Sequence, residues 1–150
     1  MITYSTEITV RWGESDPFGL VYFPLMLTWF NDTEHDLLRA IGFPTNQLIK
    51  EHRTAFVMRD VHFRFIGPAA YGDKVRCTIQ LARMGSSSLH WDCKAVQVAS
   101  GAVVCEGRAI RVHAQIQADG TLQTMPVPDG LRAALAQPGN LVSFDKPAAD

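Results

Sequence analysis

An aspartate stands just before the most hydrophobic segment of the chain. Asp16 lies in the turn-like sequence SDPFG, and an almost wholly apolar run from Leu20 to Phe30 follows it. Pro24 suits the first turn of a helix, because proline has no N–H and the first N–H groups of a helix are unpaired in any case. The sequence therefore places a carboxylate beside the N-terminus of a helix.

The N-terminal end of such a helix carries unpaired N–H groups and a partial positive charge. It can bind an anion or stabilise the oxyanion that develops during acyl transfer. Asp16 is a candidate nucleophile or general base there, and Gly19 lets the backbone approach a ligand closely. A second interpretation stays open, since Asp-Pro commonly opens a turn and aspartate commonly caps a helix.

Composition limits the classes of protein to which the chain can belong. Its 150 residues are 47% apolar and 19% charged, with a formal net charge of −1. These values are typical of one globular domain and argue against a nucleic-acid partner. No apolar run reaches the roughly 18 residues of a membrane span, and no signal peptide is evident at the N-terminus. We expect a cytoplasmic protein without a membrane partner.

The cysteines and histidines predict neither a disulfide framework nor a metal centre. Cys77, Cys93 and Cys105 lack C-x-x-C spacing and lie in strand-like segments, which indicates buried free thiols. The five histidines are scattered, without the paired spacing of a metal site. We expect no metal and no cofactor.

One long helix is predicted from about Phe23 to Ile41, ending at Gly42. Its buried stripe is apolar, and its second half adds polar residues, Glu34 among them. A short second helix is predicted over residues 45 to 53. One helical turn after Pro126 and a disordered tail over residues 138 to 150 complete the prediction, so the domain spans residues 1 to 137.

Alternation of apolar and polar residues predicts five strands. In the first strand, Trp12 belongs to the buried face; in the second, Val57, Val61, Phe63 and Phe65 share one face. The connections after the second strand are too short for parallel crossovers. We expect an α+β fold in which an antiparallel five-stranded sheet wraps around one long central helix. The predicted strands span residues 3–12, 56–66, 74–83, 88–98 and 102–114.

The stretch RWGESDPFGLVYFPLMLTWFN, which begins at Arg11, resembles the signature of hotdog-fold acyl-CoA thioesterases of the 4-hydroxybenzoyl-CoA thioesterase family. That signature joins a strand, a D-x-D-x-x-G turn and a helix start with V-x-[FY] spacing. The likeness in element order extends over residues 5 to 115 and includes GPAAYGDKV before the third strand. The resemblance implies the hotdog fold and hydrolysis of an acyl-CoA thioester.

The resemblance also implies roles for particular residues. Asp16 matches the catalytic carboxylate, which attacks carbon or activates water, and the backbone N–H of Phe23 matches the donor to the thioester carbonyl. Glu14 replaces the first aspartate of the signature. Asn31 stands where 4-hydroxybenzoyl members carry a carboxylate that meets the ring hydroxyl. Since an amide takes no proton, another aroyl group or a short acyl chain fits as well as 4-hydroxybenzoyl, and Asn31 also fits a solvated or interface position.

Coenzyme A is part of such a substrate, and its phosphates attract cations. In the resembled family these cations lie between the third and fourth strands, where this chain reads ARMGSSSLH. Arg83 is the candidate cation, with Ser86 and Ser87 as further phosphate ligands. A solvated strand end is the alternative for Arg83. Gly19 and Tyr22 complete the predicted substrate site.

Two other functions stay open beside hydrolysis of acyl-CoA. One is a thioesterase that acts on acyl carrier protein, and the other is a non-catalytic acyl-CoA-binding protein. A sheet around one helix leaves a face and an edge that need cover. We therefore expect a homo-oligomer, either a dimer or a tetramer built as a dimer of dimers.

Overall fold

The structure, a computed structural model, describes residues 1–143. A 3₁₀ turn (Trp12–Glu14) follows the first strand, and a π-helical turn (Leu48–His52) continues the second helix. The helices are α1 (Pro24–Ala40), α2 (Thr45–Gln47) and α3 (Asp129–Ala136). The strands are β1 (Ile2–Thr9), β2 (Thr54–Phe65), β3 (Lys74–Met84), β4 (Ser88–Gln97), β5 (Val103–Ile116), β6 (Leu122–Thr124) and β7 (Gly139–Ser143).

A single sheet has the strand order β2-β5-β4-β3-β1-β7, with β6 paired to β5. The five predicted strands, β1 to β5, are all paired antiparallel, as expected. β6 and β7 were not predicted. β7 lies parallel to β1, so residues 139–143 form a strand where we predicted a disordered tail. The backbone of β7 pairs with the open edge of β1, which explains the difference; residues 144–150 of the predicted tail lie outside the described residues.

Helix α1 packs against β1 and β3 and supplies much of the core. It begins with Pro24 at its first position, and Gly42, with φ 92°, follows its end, both as predicted. Thr33 bonds through its hydroxyl to that of Thr6 in β1, with 2.7 Å between the oxygens. Glu34 is buried in the same helix, although the sequence pattern grouped it with the polar residues.

A bulge in β2 changes which face its side chains occupy. The pairing of β2 with β5 shifts between Met58 and Asp60. Before the bulge, Val57 lies on the face opposite to buried Phe56; after it, Phe63 packs on Phe30 of α1 with ring centroids 5.1 Å apart. The prediction of a common face was therefore wrong for Val57, because one extra residue reverses the alternation.

Strand β1 ends at Thr9, earlier than the predicted residue 12. The Val10 N–H donates to the Asp73 carbonyl (2.9 Å), and the 3₁₀ turn follows. Trp12 is 74% exposed instead of buried, and its ring meets that of Tyr71 edge-on at 5.5 Å. The early end of β1 lets the chain turn back toward the start of α1.

None of the three cysteines forms a disulfide within residues 1–143, and all three are buried, as predicted. Burial raises the pKa of Cys93 to about 12 and that of Cys105 to about 11. Both thiols therefore stay protonated near neutral pH, and a protonated thiol is a poor nucleophile. They act as small apolar core residues.

The buried His113 makes the stability of the fold depend on pH. Its Nδ1 donates to the Pro126 carbonyl (3.0 Å), its ring packs on Phe56, and its Nε2 has no partner among residues 1–143. Burial lowers the pKa of His113 below its ordinary value. The unfolded chain thus takes up a proton near pH 6.5 that the folded chain does not, so this contribution to stability is lost as the pH falls.

We expect a His113→Asn variant to lose this pH dependence, because asparagine does not titrate and keeps an N–H donor for the Pro126 carbonyl. Between about pH 7.5 and about pH 5.5, the free energy of unfolding of the wild-type protein should fall by about 1 kcal/mol more than that of the variant. Urea unfolding at the two pH values measures the difference. Equal losses in both proteins would contradict the role of His113.

Candidate active site

Asp16 lies in a turn that its own side chain stabilises. Its Oδ1 accepts hydrogen bonds from the backbone N–H groups of Phe18 (2.8 Å) and Leu20 (3.3 Å). The Asp16 N–H donates to the Leu20 carbonyl (2.7 Å), and Gly19, with φ 77°, donates to the Asp16 carbonyl (2.9 Å). Asp16 therefore caps its own turn and not helix α1. Within residues 1–143 its Oδ2 makes no hydrogen bond.

Hydrogen bonds fix the segment between this turn and α1. The Tyr22 N–H donates to the Glu14 carbonyl (2.8 Å), and the Val21 N–H donates to the Ala69 carbonyl (2.8 Å). The Glu14 carboxylate accepts a hydrogen bond from the Trp29 indole of α1 (2.9 Å). Glu14 therefore fastens the turn to the helix, while Asp16 keeps one carboxylate oxygen unengaged.

The residue that precedes α1 provides the second functional group of the site. Phe23 is the N-cap residue, and its N–H has no acceptor among the residues that the structure describes, whereas the Leu25 N–H donates to the Tyr22 carbonyl (2.9 Å). An unpaired N–H at the positive end of a helix suits a carbonyl or oxyanion ligand. The predicted pair of groups is thus present in one short segment, and its catalytic role stays a prediction.

Apolar side chains are exposed around this segment. Phe23 is 57% exposed, and its ring contacts those of Tyr22 (5.8 Å) and Phe65 (5.3 Å). These three exposed rings form an apolar patch, and such a patch is typical of a surface that a ligand or another chain covers. Trp12, Phe18 and Leu20, which precede Phe23 in the sequence, are also exposed, as are Ile66 and Tyr71, which follow Phe65.

Asn31 joins a buried ion pair that the sequence analysis missed. Arg111 of β5 donates from Nε to Glu34 Oε2 (2.9 Å) and from Nη2 to Asn31 Oδ1 (2.7 Å). The Trp91 indole donates to Glu34 Oε1 (3.1 Å). Glu34 is 4% and Arg111 7% exposed. Burial raises the pKa of Glu34, and the neighbouring guanidinium opposes that shift.

A small cavity of about 40 Å³ lies beside this ion pair. Asn31, Glu34 and Arg111 border it, together with mainly apolar side chains of α1 and the sheet such as Phe30 and Phe63. Helical spacing could have predicted that Glu34 is buried, since it follows the buried Phe30 by four residues. A buried carboxylate needs a charged or hydrogen-bonding partner, and the sequence did not indicate which residue that partner is.

The turn predicted to bind phosphate lies at the opposite end of the sheet from Asp16. The pairing of β1 with β3 sets Thr9 opposite Lys74, so the chain that leaves β1 toward Asp16 starts at the Lys74 end. Arg83 follows nine residues later on β3, which corresponds to about 30 Å at ~3.3 Å per residue. Within one chain the two predicted parts of the substrate site are therefore far apart.

The turn after Arg83 is itself well anchored. The Ser86 carbonyl accepts a hydrogen bond from Arg132 of α3 (2.9 Å), and the Ser87 carbonyl accepts one from the His113 N–H (2.7 Å). Arg83 is exposed and makes no ion pair within residues 1–143. Arg132 is a second cation at this turn, which the sequence analysis did not consider.

Two structural absences apply to the described residues. Among residues 1–143, no three His, Cys, Asp or Glu side chains are grouped so as to hold a metal ion. In the same part of the chain, no helix has the length and apolar character needed to cross a membrane.

Solved structures share this architecture. The 1,4-dihydroxy-2-naphthoyl-CoA thioesterase from Synechocystis gives a TM-score of 0.81 at 18% identity, over 89% of this chain and 95% of that one. The 4-hydroxybenzoyl-CoA thioesterase from Pseudomonas sp. strain CBS-3 gives 0.78 at 19% identity, over 87% and 97%. The chain has the hotdog fold, as predicted.

Sequence comparison places the chain in a family. The model of the Thioesterase-like superfamily matches residues 10–135, and the chain belongs to this superfamily. It is also similar to a 1,4-dihydroxy-2-naphthoyl-CoA hydrolase of Thermosynechococcus vestitus, with 28% identity over 79 residues. That match covers 53% of this chain and 54% of the hydrolase, so it spans about half the length of the relative.

Proposed function

We propose that this protein hydrolyses an acyl-CoA thioester, with a compact aromatic or short acyl group, to the free acid and coenzyme A. The observation that carries the proposal is that one short segment holds two groups without a hydrogen-bond partner among residues 1–143, Asp16 Oδ2 and the Phe23 N–H. Membership of the Thioesterase-like superfamily supports it. The names of similar proteins support it too, because each of them specifies an aroyl-CoA ester as the substrate.

Each group has a part in the proposed reaction. The Phe23 N–H donates to the thioester carbonyl oxygen, and the positive end of the helix stabilises the negative charge that develops there. Asp16 either attacks the carbonyl carbon, giving a mixed anhydride that water then opens, or removes a proton from the attacking water. Coenzyme A leaves as the thiolate. When a ligand or a second chain covers the exposed apolar side chains around the site, Tyr22 among them, water is excluded and both interactions become stronger.

A panel of aroyl- and alkanoyl-CoA esters, assayed with a thiol-reactive dye, tests the proposal. We expect kcat/KM of about 10⁴ M⁻¹s⁻¹ or more for at least one ester. The same acyl groups on acyl carrier protein provide the comparison. Turnover of carrier-bound esters alone would identify the protein as an acyl-carrier-protein thioesterase, and binding of CoA esters without turnover would identify a non-catalytic binding protein.

We further propose that the protein assembles as a homodimer or a dimer of dimers. Two observations support assembly: the exposed apolar patch around Phe23, and the distance of about 30 Å along β3 between the Asp16 end and Arg83. A second copy that covers the patch can bring its own Arg83 turn to the site.

Light scattering at micromolar concentration should therefore give a mass of two or four times 16.6 kDa. A Phe23→Ser variant serves as the comparison, because a polar residue in the patch should shift the distribution toward the monomer. A wild-type mass of 16.6 kDa alone would contradict the proposed assembly.

Arg83→Ala is expected to raise the KM for CoA esters by about 5- to 30-fold and to change kcat little. A phosphate contact remote from the reacting carbonyl stabilises substrate and transition state alike, and one charge-assisted hydrogen bond contributes about 1–2 kcal/mol. Arg108→Ala is the matched control, since Arg108 is an exposed arginine that pairs with Asp92 (3.4 Å) on the sheet. Equal KM values in the two variants would assign phosphate binding to another residue.

A further inference from the structure

Arg111 determines which atoms of Asn31 are available to a ligand. A guanidinium carries only N–H donors, so the atom of Asn31 that faces it at 2.7 Å is the carbonyl oxygen Oδ1. The amide NH2 group, Nδ2, consequently points away from Arg111. Because Asn31 is exposed, it offers N–H donors on that side while its oxygen is occupied.

The ion pair holds Arg111 in place. Its Nε donates to Glu34 Oε2 (2.9 Å), and Trp91 occupies the other oxygen of the same carboxylate (3.1 Å). Both members of the pair are buried, so Arg111 cannot turn away without leaving a buried carboxylate unpaired. Reversal of the Asn31 amide would set the donors of Asn31 and Arg111 against each other. The orientation of Asn31 is therefore fixed from within the core.

We propose that Arg111 is a positioning residue that makes Asn31 a donor-only contact, so that the site selects acyl groups whose ring carries a hydrogen-bond acceptor, with an ionised hydroxyl preferred over a neutral one. This inference rests on the proposed function. Asn31 and Arg111 border the same small cavity as Phe30 and Phe63, whose rings suit a flat aromatic group. A carboxylate at position 31 would select the opposite partner, a neutral hydroxyl that donates.

A thioether analogue of 4-hydroxybenzoyl-CoA, with a methylene between carbonyl and sulfur, tests the polarity of this contact. It has no thioester to hydrolyse, and its phenol absorbs at longer wavelength when ionised. In the wild-type protein, the ionisation midpoint of the bound phenol should lie about one pH unit below that of the free analogue, a tenfold preference for the ionised form.

Asn31→Asp is the matched variant, since it keeps the shape of the side chain. One carboxylate oxygen can stay on Arg111 while the other faces the ring, so the midpoint should be no lower than that of the free analogue. A wild-type midpoint equal to or above that of the free analogue, or equal midpoints in the two proteins, would overturn the donor-only contact.

A test of the role of Arg111 requires a variant that leaves no buried charge unpaired. In Glu34→Gln/Arg111→Gln both charges are removed, and Asn31 is free to turn. With folding checked by circular dichroism, the midpoint should return to that of the free analogue, and a retained shift would overturn the role of Arg111. If this double variant does not fold, the comparison of the wild-type protein with Asn31→Asp still shows whether Asn31 acts only as a donor.

Failure of the inference and failure of the proposed function give different results. Turnover of CoA esters with an unshifted midpoint overturns only the inference. No turnover of CoA esters together with no binding of the analogue overturns the proposed function and, with it, the inference.

Discussion

Replacing Asp16 with asparagine is expected to lower kcat for CoA esters by about 10²- to 10⁴-fold, the usual contribution of a positioned acid, base or nucleophile. The side-chain oxygen of asparagine can still accept the hydrogen bonds from Phe18 and Leu20 that Asp16 Oδ1 accepts. The turn should therefore persist. What the variant loses is the second oxygen, Oδ2, which the turn does not use. KM and the melting temperature should change little.

Glu14→Gln is the matched control, because Glu14 is the other carboxylate of the same turn and is engaged with the Trp29 indole. This variant should lose some stability but keep most of its kcat. Stopped assays with a thiol-reactive dye on both purified variants measure the difference. A folded Asp16→Asn protein with near-normal turnover would show that Asp16 serves only its turn.

Arg111→Met is expected to lower the free energy of unfolding by about 3–5 kcal/mol. Removal of the guanidinium leaves the Glu34 carboxylate buried in the core without its charged partner, and an unpaired buried charge carries a cost of this size. Glu34→Gln/Arg111→Met removes both charges. The double variant should therefore be more stable than Arg111→Met alone.

Urea unfolding of the three proteins measures these differences. Arg108→Met is the control for loss of an ion pair that is exposed, and it should change stability little because water screens such pairs. A loss below about 1 kcal/mol for Arg111→Met, or no recovery in the double variant, would contradict a structural role for the buried pair.

Features whose signal is local were predictable from the sequence. Pro24 and Gly42 mark the ends of α1 through backbone chemistry that depends on each residue alone. The strict alternation over residues 74–83 predicted β3 almost to the residue. Asp16 and Phe23 lie in one short segment, and the turn at Asp16 and the helix start after Phe23 both form as predicted.

Features that depend on long-range pairing were not predictable in the same way. The partner of Glu34 is Arg111, 77 residues away, on a strand without clear alternation. The β2 bulge, which moved Val57 to the other face, breaks the period of two that the prediction used. The separation of Arg83 from Asp16 follows from the register of β1 on β3, and no residue type in either segment encodes that register alone.

The most direct test of the proposed function is a balance of products from one CoA ester. The wild-type protein is mixed with 4-hydroxybenzoyl-CoA and, in parallel, with a short alkanoyl-CoA, and free thiol and free acid are followed together. We predict one thiol and one carboxylic acid for each ester consumed, over many turnovers, from at least one of the two esters. Esters that stay intact in the presence of the folded, assembled protein would contradict thioester hydrolysis as its function.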